Sequence, residues 1–194
     1  MLFIRPQCIV IILKEEETAE ERSEFGINMT EYKDISFLAD GVVIRAMTEK
    51  DYEMVHSLWF TISGFGIRSI DDSKEDVIRF IRRNPSTSAV AELPDGKIIG
   101  SILCGTDGRQ GSLYHVCVEK HYRRKGIGTA MVGFCMKALE AEKINKVTLI
   151  AFAKNDGGNA FWKQIGWTKR EDLNYYEFVL NKENITQFIE GSEN

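Results

Sequence analysis

The sequence lacks an excess of positive charge. Its 194 residues include 25 Lys and Arg against 29 Asp and Glu, which gives a formal net charge of −4. A protein that binds nucleic acid through its phosphates needs a basic surface, so we expect no nucleic-acid partner. The 43% hydrophobic and 28% charged residues are typical of an ordinary globular protein.

Long hydrophobic runs and paired cysteines are also missing. The apolar stretch 2–13 is interrupted by Arg5 and Pro6, and its unbroken part is far shorter than the ~20 residues that span a bilayer. An acidic cluster at 15–17 follows it, where a signal peptide would have a small-residue cleavage site. The four cysteines form no C-x-x-C pair. We therefore expect no membrane partner and a reducing, cytoplasmic location.

The chain is long enough to fold as one domain without disulfides or a structural metal. Regular strand and helix patterning begins near residue 42, and the residues before it form an appendage with an acidic patch. We divide the chain into an N-terminal extension of unknown role at 1–40, one domain at 41–183, and a polar C-terminal tail at 184–194.

Hydrophobic periodicity predicts an alternation of strands and helices. Apolar residues keep helical spacing from Ile127 to Leu139, which makes this helix the most regular element. The apolar run 146–152 predicts a strand that is covered on both faces and parallel to the strand before that helix. The predicted strands are 42–47, 88–93, 97–104, 111–118, 146–152 and 175–180, and the predicted helices are 48–60, 73–84, 126–143 and 155–165, with a loop at 61–69. This order predicts an α/β fold built on a mixed sheet.

The turn before the most regular helix carries the clearest chemical signal. Glycines at 126 and 128 let a large anion approach the backbone, and the first N–H groups of a helix lack internal partners. Five cations and no carboxylate lie between Lys120 and Leu139. The pattern indicates a pyrophosphate site, or otherwise a helix start with solvated basic residues. The P-loop and dinucleotide fingerprints are both absent.

Two separated motifs resemble one family. Residues 118–128 look like the strand-to-helix signature V-x-P-x-x-R-x-x-G-x-G of the GNAT superfamily of acyl-CoA N-acyltransferases, with Lys120 in place of the proline. Residues 155–167 are similar to that family's N-x-x-A-x-x-x-Y-x-x-x-G-F segment. The resemblance covers about 42–181. It implies a mostly antiparallel central sheet with one splayed parallel strand pair, flanked by helices.

The resemblance also implies acetyl-CoA as co-substrate and no metal. Backbone groups of the turn and of the preceding strand would hold its pyrophosphate and pantetheine, and residues near the second motif would contact the pantetheine from the other side. The residues implied are Val116, Cys117, Val118, Arg123, Arg124, Lys125, Gly126, Ile127, Gly128, Thr129, Asn155, Phe161 and Trp162.

The catalytic residues are less defined by the sequence. Direct attack of an amine on a thioester needs positioning and a proton acceptor. The candidate bases are Tyr114, His115, which we expect on the other face of the strand, and Glu92. Trp162 stands where the family usually has a tyrosine proton donor, and an indole N–H is no acid at neutral pH.

Other groups could take part in the reaction. Cys117 would polarise the thioester carbonyl through its backbone, with a covalent role as the alternative, and Asn155 would assist from the other side. Tyr175, Tyr176 or water could replace the missing donor, and we select Tyr176.

The loop after the first helix is the expected entrance for the acceptor. Phe65 and Arg68 are the candidate substrate-binding residues, and Asp71 and Asp72 could attract an amine, unless Asp72 only caps the following helix. We expect an N-acetyltransferase acting on the primary amine of a small metabolite, with a homodimer possible. The alternatives are a protein N-terminal or lysine acetyltransferase and a non-catalytic acyl-CoA-binding module.

Overall fold

A computed structural model describes residues 41–189 of the chain. The expectations for 1–40 and for the end of the C-terminal tail lie outside the described residues. The strands are β1 Val43–Ala46, β2 Gly66–Arg68, β3 Ala89–Glu92, β4 Ile98–Thr106, β5 Gly111–Val118, β6 Val147–Leu149 and β7 Thr186–Phe188. The helices are α1 Tyr52–Trp59, α2 Lys74–Arg83, α3 Ile127–Ala141 and α4 Asp156–Gln164, with 3-10 turns at Glu49–Asp51 and Lys120–Tyr122.

Five strands form the central sheet in the order β1-β3-β4-β5-β6. Every neighbouring pair is antiparallel except β5 and β6, which are parallel across α3. This arrangement confirms the predicted fold, a mixed sheet with one parallel pair and flanking helices. The helices cover both faces of the sheet, so that each face has its own apolar core.

The helix α3 packs across one face of the sheet. Its apolar stripe, which includes Met131, Cys135 and Leu139, is fully buried against residues such as Ile99 and Ile102 of β4. Full burial of a side chain of this size contributes roughly 1.5–3 kcal/mol. The stripe that the sequence predicts is therefore the reason that α3 forms and holds its place.

The helices α1 and α2 cover the opposite face. Trp59 of α1 is fully buried, and its Nε1 donates to Oγ of Ser101 on β4 at 2.9 Å. Ser73, not Asp72, caps α2, because its Oγ accepts a hydrogen bond from the backbone N–H of Asp76 at 3.3 Å. The hydrogen bond from Trp59 to Ser101 joins the α1–α2 layer to the centre of the sheet.

The predicted burial of 146–152 is wrong. Only Val147–Leu149 form the strand β6, all three residues are partly buried, and the side chain of Ile150 is 72% exposed. The reason is that β6 lies at the edge of the sheet, where β5 is its one neighbour. An apolar run by itself does not distinguish a central strand from an edge strand.

The predicted strand at 175–180 is also wrong. These residues are irregular, and the side chain of Leu180 is 93% exposed. Further along the chain, β7 pairs antiparallel with β2. The strand β2 lies within the segment 61–69 that the sequence predicts as a loop. Strand formation needs an available partner edge, and local alternation carries no information about that partner. No helix within 41–189 has both the length and the apolar character needed to cross a membrane.

The residues after 183 contribute to the folded part of the chain. Asn184 Oδ1 accepts the backbone N–H of Ile70 at 3.0 Å, and Ile189 packs against the core beneath α1 and α2. We call the two-stranded unit of β2 and β7 the β2–β7 ribbon. It joins the end of the described chain to the connection between α1 and α2.

Candidate active site

The strands β5 and β6 separate after three residue pairs. The parallel register joins Gly111–Leu113 to Val147–Leu149, after which β6 ends while β5 continues to Val118. The backbone groups on this side of the last part of β5 therefore have no neighbouring strand. The result is a cleft that opens toward the start of α3.

A β-bulge lies in β5 where the cleft begins. Leu103 of β4 pairs with Tyr114 and Ser101 pairs with Cys117, so β5 contains one extra residue between these pairs. His115 adopts a left-handed backbone with φ +47° at this point. A bulge bends the strand and resets the alternation of its side chains.

The register assigns the backbone groups that face the cleft. Glu119 N–H donates to the carbonyl of Ile99 at 2.8 Å, and antiparallel hydrogen bonds recur at every second residue. Cys117 therefore directs its backbone toward β4, whereas Val116 and Val118 direct theirs into the cleft. The carbonyl of Val118 already accepts Arg123 Nε at 2.8 Å, which leaves the N–H of Val118 available.

The position of Cys117 argues against the roles expected for it. Its backbone belongs to the β4–β5 ladder, and its side chain is buried with Sγ 3.4 Å from Oγ of Ser101. Burial raises the pKa of the Cys117 thiol to about 11. Very little thiolate exists at neutral pH, which argues against a nucleophilic Cys117. The pairing of its backbone with β4 argues against its polarising a carbonyl in the cleft.

The turn between β5 and α3 has the geometry of an anion site. Arg124 and Gly126 are both left-handed, with φ +64° and +80°, and Gly126 is the N-cap of α3 without any side-chain cap. The N–H groups of Ile127, Gly128 and Thr129 open this helix and have no intrahelical acceptor. These N–H groups lie at the positive end of the helix dipole, an arrangement that suits a phosphate.

The two glycines of this turn have different structural reasons. A Cβ on Gly126 would have no atom within 4 Å, so the left-handed backbone and open space explain this glycine. A Cβ on Gly128 would lie 3.3 Å from the ring of Phe161. Gly128 therefore permits α4 to pack against α3, whereas from the sequence we expect it to admit an anion.

The cations of the turn are held in different ways. Arg123 is fixed to the end of β5 by its bond to Val118, and Lys125 Nζ lies 5.7 Å from the centre of the Tyr122 ring. Arg124 is exposed next to Gly126. The positive charge of the turn therefore comes from the side chains of Arg123, Arg124 and Lys125, which precede the start of α3.

The residues of α4 support the cleft from below. Asn155 Oδ1 accepts Gly158 N–H at 3.0 Å, so the role that its side chain has in this structure is to cap α4. The ring centres of Phe161 and Trp162 are 5.0 Å apart in an edge contact, and the rings of Trp162 and Trp167 lie 4.9 Å apart at a tilt of 54°. These rings pack on the core beneath α3. Trp162 fills space at the position of the family's tyrosine and offers no acidic proton.

His115 faces the α1–α2 layer, on the same side as Tyr114, because the bulge resets the alternation. The sequence pattern predicts His115 on the face of β5 opposite Tyr114, so this prediction is wrong. Its ring lies 4.4 Å from that of Trp59, and its Nε2 is 2.6 Å from Oδ1 of Asp72. Tyr114 is half exposed and has edge contact with Phe80. No sequence signal joins Asp72 to His115, since 43 residues separate them.

Two other candidates do not serve the site. Glu92 accepts Arg45 Nε at 2.6 Å on the β1–β3 side of the sheet, away from β5 and β6. Tyr176 is 86% exposed on an irregular segment. Its neighbour Tyr175 donates to Glu177 at 3.0 Å, and this bond raises the pKa of Tyr175, which makes it a weaker acid. Within 41–189 no cluster of His, Cys, Asp or Glu is placed to hold a metal ion.

A cavity of about 220 Å³ lies next to Asp72. It is lined by His56 and Phe60 of α1, by the β2–β7 ribbon and by the turn that leads to α2. Arg68 lines it and pairs with Asp71 at 3.0 Å, which raises the pKa of the guanidinium. Phe65 packs against the ring of His115 at 5.4 Å, so it forms the wall between cavity and bulge.

Comparison with known sequences agrees with this geometry. The chain matches the family model described as the acetyltransferase (GNAT) family over residues 52–167. An acetyltransferase of Sodalis glossinidius is 28% identical over 130 residues, which cover 67% of this chain and 89% of that protein. An acetyltransferase of Pectobacterium atrosepticum is 33% identical over 113 residues, which cover 58% of this chain and 78% of that protein.

Solved structures share the fold. An aminoglycoside acetyltransferase from an uncultured soil metagenomic sample, in complex with sisomicin, has a TM-score of 0.57 at 18% identity and covers 72% of this chain and 97% of its own. The PaiA N-acetyltransferase of Thermoplasma acidophilum, in complex with coenzyme A, has a TM-score of 0.54 at 19% identity, with coverages of 63% and 87%. With a family match over more than half of its length and this sheet, the chain belongs to the GNAT acetyltransferase family.

Proposed function

We propose that the protein transfers the acetyl group of acetyl-CoA to the primary amine of a small molecule by direct attack. The observation that carries the proposal is the separation of β5 from β6 on the strand that leads to the start of α3, which has no side-chain cap. A long arm that ends in a pyrophosphate matches a cleft that ends in an anion site. Acetyl-CoA has this shape, and it supplies an acetyl group already activated as a thioester.

The chain's own groups divide the binding of this co-substrate. The N–H groups of Ile127, Gly128 and Thr129 would bind the pyrophosphate, with Arg124 adding charge. The N–H groups of Val116 and Val118 would hold the pantetheine and polarise the thioester carbonyl. Because these donors belong to a strand and a helix, they are fixed before binding.

The acceptor side supports a compact substrate. The β2–β7 ribbon includes part of the connection between α1 and α2, and it lines a cavity of about 220 Å³. Acetylation of a protein lysine or N-terminus needs a groove that admits an extended peptide. The aminoglycoside acetyltransferase with the same fold binds a small amine, sisomicin, which is consistent with a small acceptor here.

Thiol release from acetyl-CoA tests the proposal. The full chain is assayed with polyamines, amino acids, aminoglycosides and short peptides as acceptors. We expect turnover with at least one small amine and none with the peptides. Turnover with peptides alone would support a protein acetyltransferase, and binding of acetyl-CoA without any turnover would support a non-catalytic module, so either result would contradict the proposal.

A charge reversal locates the acetyl-CoA site in the same assay. Arg124→Glu removes a cation from the turn, and we expect roughly 10–100-fold weaker acetyl-CoA binding, as for the loss of a charged hydrogen bond. Arg109→Glu is the matched control, because Arg109 is exposed in the β4–β5 connection. Equal affinity of the two variants would overturn the placement of the pyrophosphate.

A further inference from the structure

A histidine and an aspartate form an enclosed pair next to the cleft. His115 Nε2 lies 2.6 Å from Oδ1 of Asp72, and the two side chains are only 16% and 6% exposed. The imidazole sits between the rings of Trp59 and Phe65, at 4.4 and 5.4 Å. The two rings restrict the orientation of the imidazole, while its 16% exposure leaves part of the ring accessible.

Each carboxylate oxygen of Asp72 has one partner, and the backbone of Asp72 has two further hydrogen bonds. Its Oδ2 accepts the backbone N–H of Arg68 at 2.7 Å, while its own backbone N–H donates to the Arg68 carbonyl at 3.1 Å. Tyr52 donates its hydroxyl to the Asp72 carbonyl at 3.0 Å. The carboxylate therefore cannot rotate away from His115 without breaking the turn that leads to α2.

This arrangement selects one tautomer of His115. An ionised carboxylate only accepts hydrogen bonds, so the nitrogen that faces Asp72, Nε2, carries the proton. The lone pair is then on Nδ1. Among residues 41–189 no group donates to Nδ1. The neutral imidazole thus has one nitrogen held by the protein and one that can accept a proton from a ligand.

The backbone places this imidazole beside the cleft. His115 has a left-handed backbone in the bulge, a conformation that is uncommon for residues other than glycine. The next residue, Val116, directs its N–H into the cleft where the thioester would lie. The bulge thereby brings a proton acceptor and a carbonyl-binding group together within one residue of β5.

We propose that His115 is the general base of the transfer reaction and that Asp72 is its positioning residue. This inference rests on the proposed acetyl transfer. The amine nitrogen attacks the thioester carbon, a C–N bond forms, and the C–S bond breaks. His115 Nδ1 takes the proton that the nitrogen loses, and coenzyme A leaves as its thiolate, which water protonates. His115 later returns its proton to solvent.

Several titratable groups face this pair from the neighbouring elements. Tyr52 and His56 lie on α1 and stack at 5.0 Å, Arg68 lies on β2, and Tyr114 precedes His115 on β5. None of them has a hydrogen bond to the imidazole among the described residues. Among the described residues, Asp72 is the charged group that contacts the ring.

Replacement of His115 by glutamine tests the base. We expect kcat to fall by about 10²–10⁴-fold, the usual contribution of a general base, with acetyl-CoA affinity unchanged. The pH profile of kcat/KM should lose its acidic limb and follow only the free-amine fraction, which rises toward the amine pKa near ~10. His121→Gln is the matched control, since His121 is exposed on the turn before α3. A loss below about threefold in kcat would overturn the proposal.

Asp72→Asn separates positioning from simple packing. The backbone N–H of Arg68 can only donate, so the amide oxygen must face it and the amide NH₂ must face His115 Nε2. His115 is then forced into the tautomer with a proton on Nδ1, which cannot act as base. We expect a fall in kcat of about 10²-fold or more at unchanged acetyl-CoA affinity, and Asp76→Asn, on the first turn of α2, should retain full rate.

A spectroscopic measurement distinguishes failure of the pair from failure of the proposed function. In nitrogen NMR spectra of the full chain without ligand, the neutral His115 should carry its proton on Nε2, and Asp72→Asn should move that proton to Nδ1. The opposite tautomer in the unmodified protein would overturn the pair even if acetyl transfer is observed. If the expected tautomer is found but no acetyl transfer occurs, the proposed function fails and His115 has no reaction to serve as base, although the His115–Asp72 pair is as described.

Discussion

Single residues decide where this protein can hold an anion. The backbone of Gly126 is left-handed at the N-cap of α3, and a Cβ there would meet open space. Gly128, two residues later, is required by the ring of Phe161 instead. The same residue type thus has a conformational role at one position and a packing role at the other.

Gly126→Ala should weaken both stability and acetyl-CoA binding. An L-residue in the left-handed region costs roughly 1–2 kcal/mol, and relief of this strain would shift the turn that places the N–H groups we assign to the pyrophosphate. Urea denaturation gives the change in stability, and titration with acetyl-CoA gives the change in affinity.

Gly108→Ala is the control for this variant. Gly108 has φ +87° and also has no atom within 4 Å of a built Cβ, but it lies in the β4–β5 connection. We expect the same loss of stability with normal acetyl-CoA affinity. Normal affinity in both variants would show that the start of α3 does not bind the co-substrate.

At the scale of elements, the β2–β7 ribbon determines the shape of the acceptor side. Ser69 N–H donates to the Ile185 carbonyl and Ile189 N–H donates to the Phe65 carbonyl, each at 2.8–2.9 Å. Alternation along an antiparallel pair then directs the N–H of Gln187 to β2 and the N–H of Thr186 away from it. This difference gives a matched pair of proline substitutions.

Gln187→Pro should loosen the ribbon without affecting the cleft. Proline removes the N–H that bonds to β2, and one such bond contributes about 1 kcal/mol. If the ribbon encloses the acceptor, we expect KM for the amine to rise about fivefold while KM for acetyl-CoA stays the same. Steady-state kinetics with each substrate varied in turn measure both values.

Thr186→Pro is the control, because it removes an N–H that faces away from β2. It should leave both KM values within about twofold. An equal rise for the two variants would attribute the effect to proline in the tail, and no rise for Gln187→Pro would show that the ribbon does not enclose the acceptor.

The sequence predicts the elements whose partners are close in the chain, but it does not predict the β2–β7 ribbon. The helix α3 and the hairpin of β3 and β4 follow from periodicity and from the turn at 94–96, since their partners are close in sequence. The ribbon joins strands about 120 residues apart in the chain, each only three residues long. Such short strands have too little pattern to be recognised before their partner is known.

At the scale of the whole molecule, a charged cluster ties the edge of the sheet to the start of the α1 layer. Arg45 on β1 donates to both carboxylate oxygens of Asp51, at 2.7 and 2.8 Å, and to Glu92 on β3. Asp51 is 3% exposed and also accepts the N–H and hydroxyl of Thr48. The buried carboxylate therefore accepts four hydrogen bonds, three at Oδ2 and one at Oδ1, all of which favour its ionised form.

The cluster should make stability depend on pH. Burial alone would raise the pKa of Asp51, but the hydrogen bonds from Arg45 and Thr48 outweigh it, and the pKa is lowered. A lowered folded-state pKa contributes stability above the unfolded value of ~3.9, and this contribution is lost as the pH falls through the folded value. We expect Asp51→Asn to cost about 1–3 kcal/mol at pH 7 and progressively less below pH ~4.

Urea denaturation at pH 7 and at pH 3 measures this difference. Asp156→Asn is the control, because Asp156 is exposed at the start of α4 and should change stability by less than about 0.5 kcal/mol at either pH. A cost of Asp51→Asn that is the same at both pH values would show that the ionised carboxylate is not the source of the stability.

The sequence by itself determined the family, the sheet order around α3 and the turn that begins at Arg123. Those features follow from local periodicity, from glycine and from clustered charge, which act between near neighbours in the chain. Only the tertiary structure decided the partner of His115, the face on which it lies and the structural roles of Cys117 and Asn155. A bulge reset the direction of β5, and Asp72 reached it from 43 residues away, which no local pattern encodes.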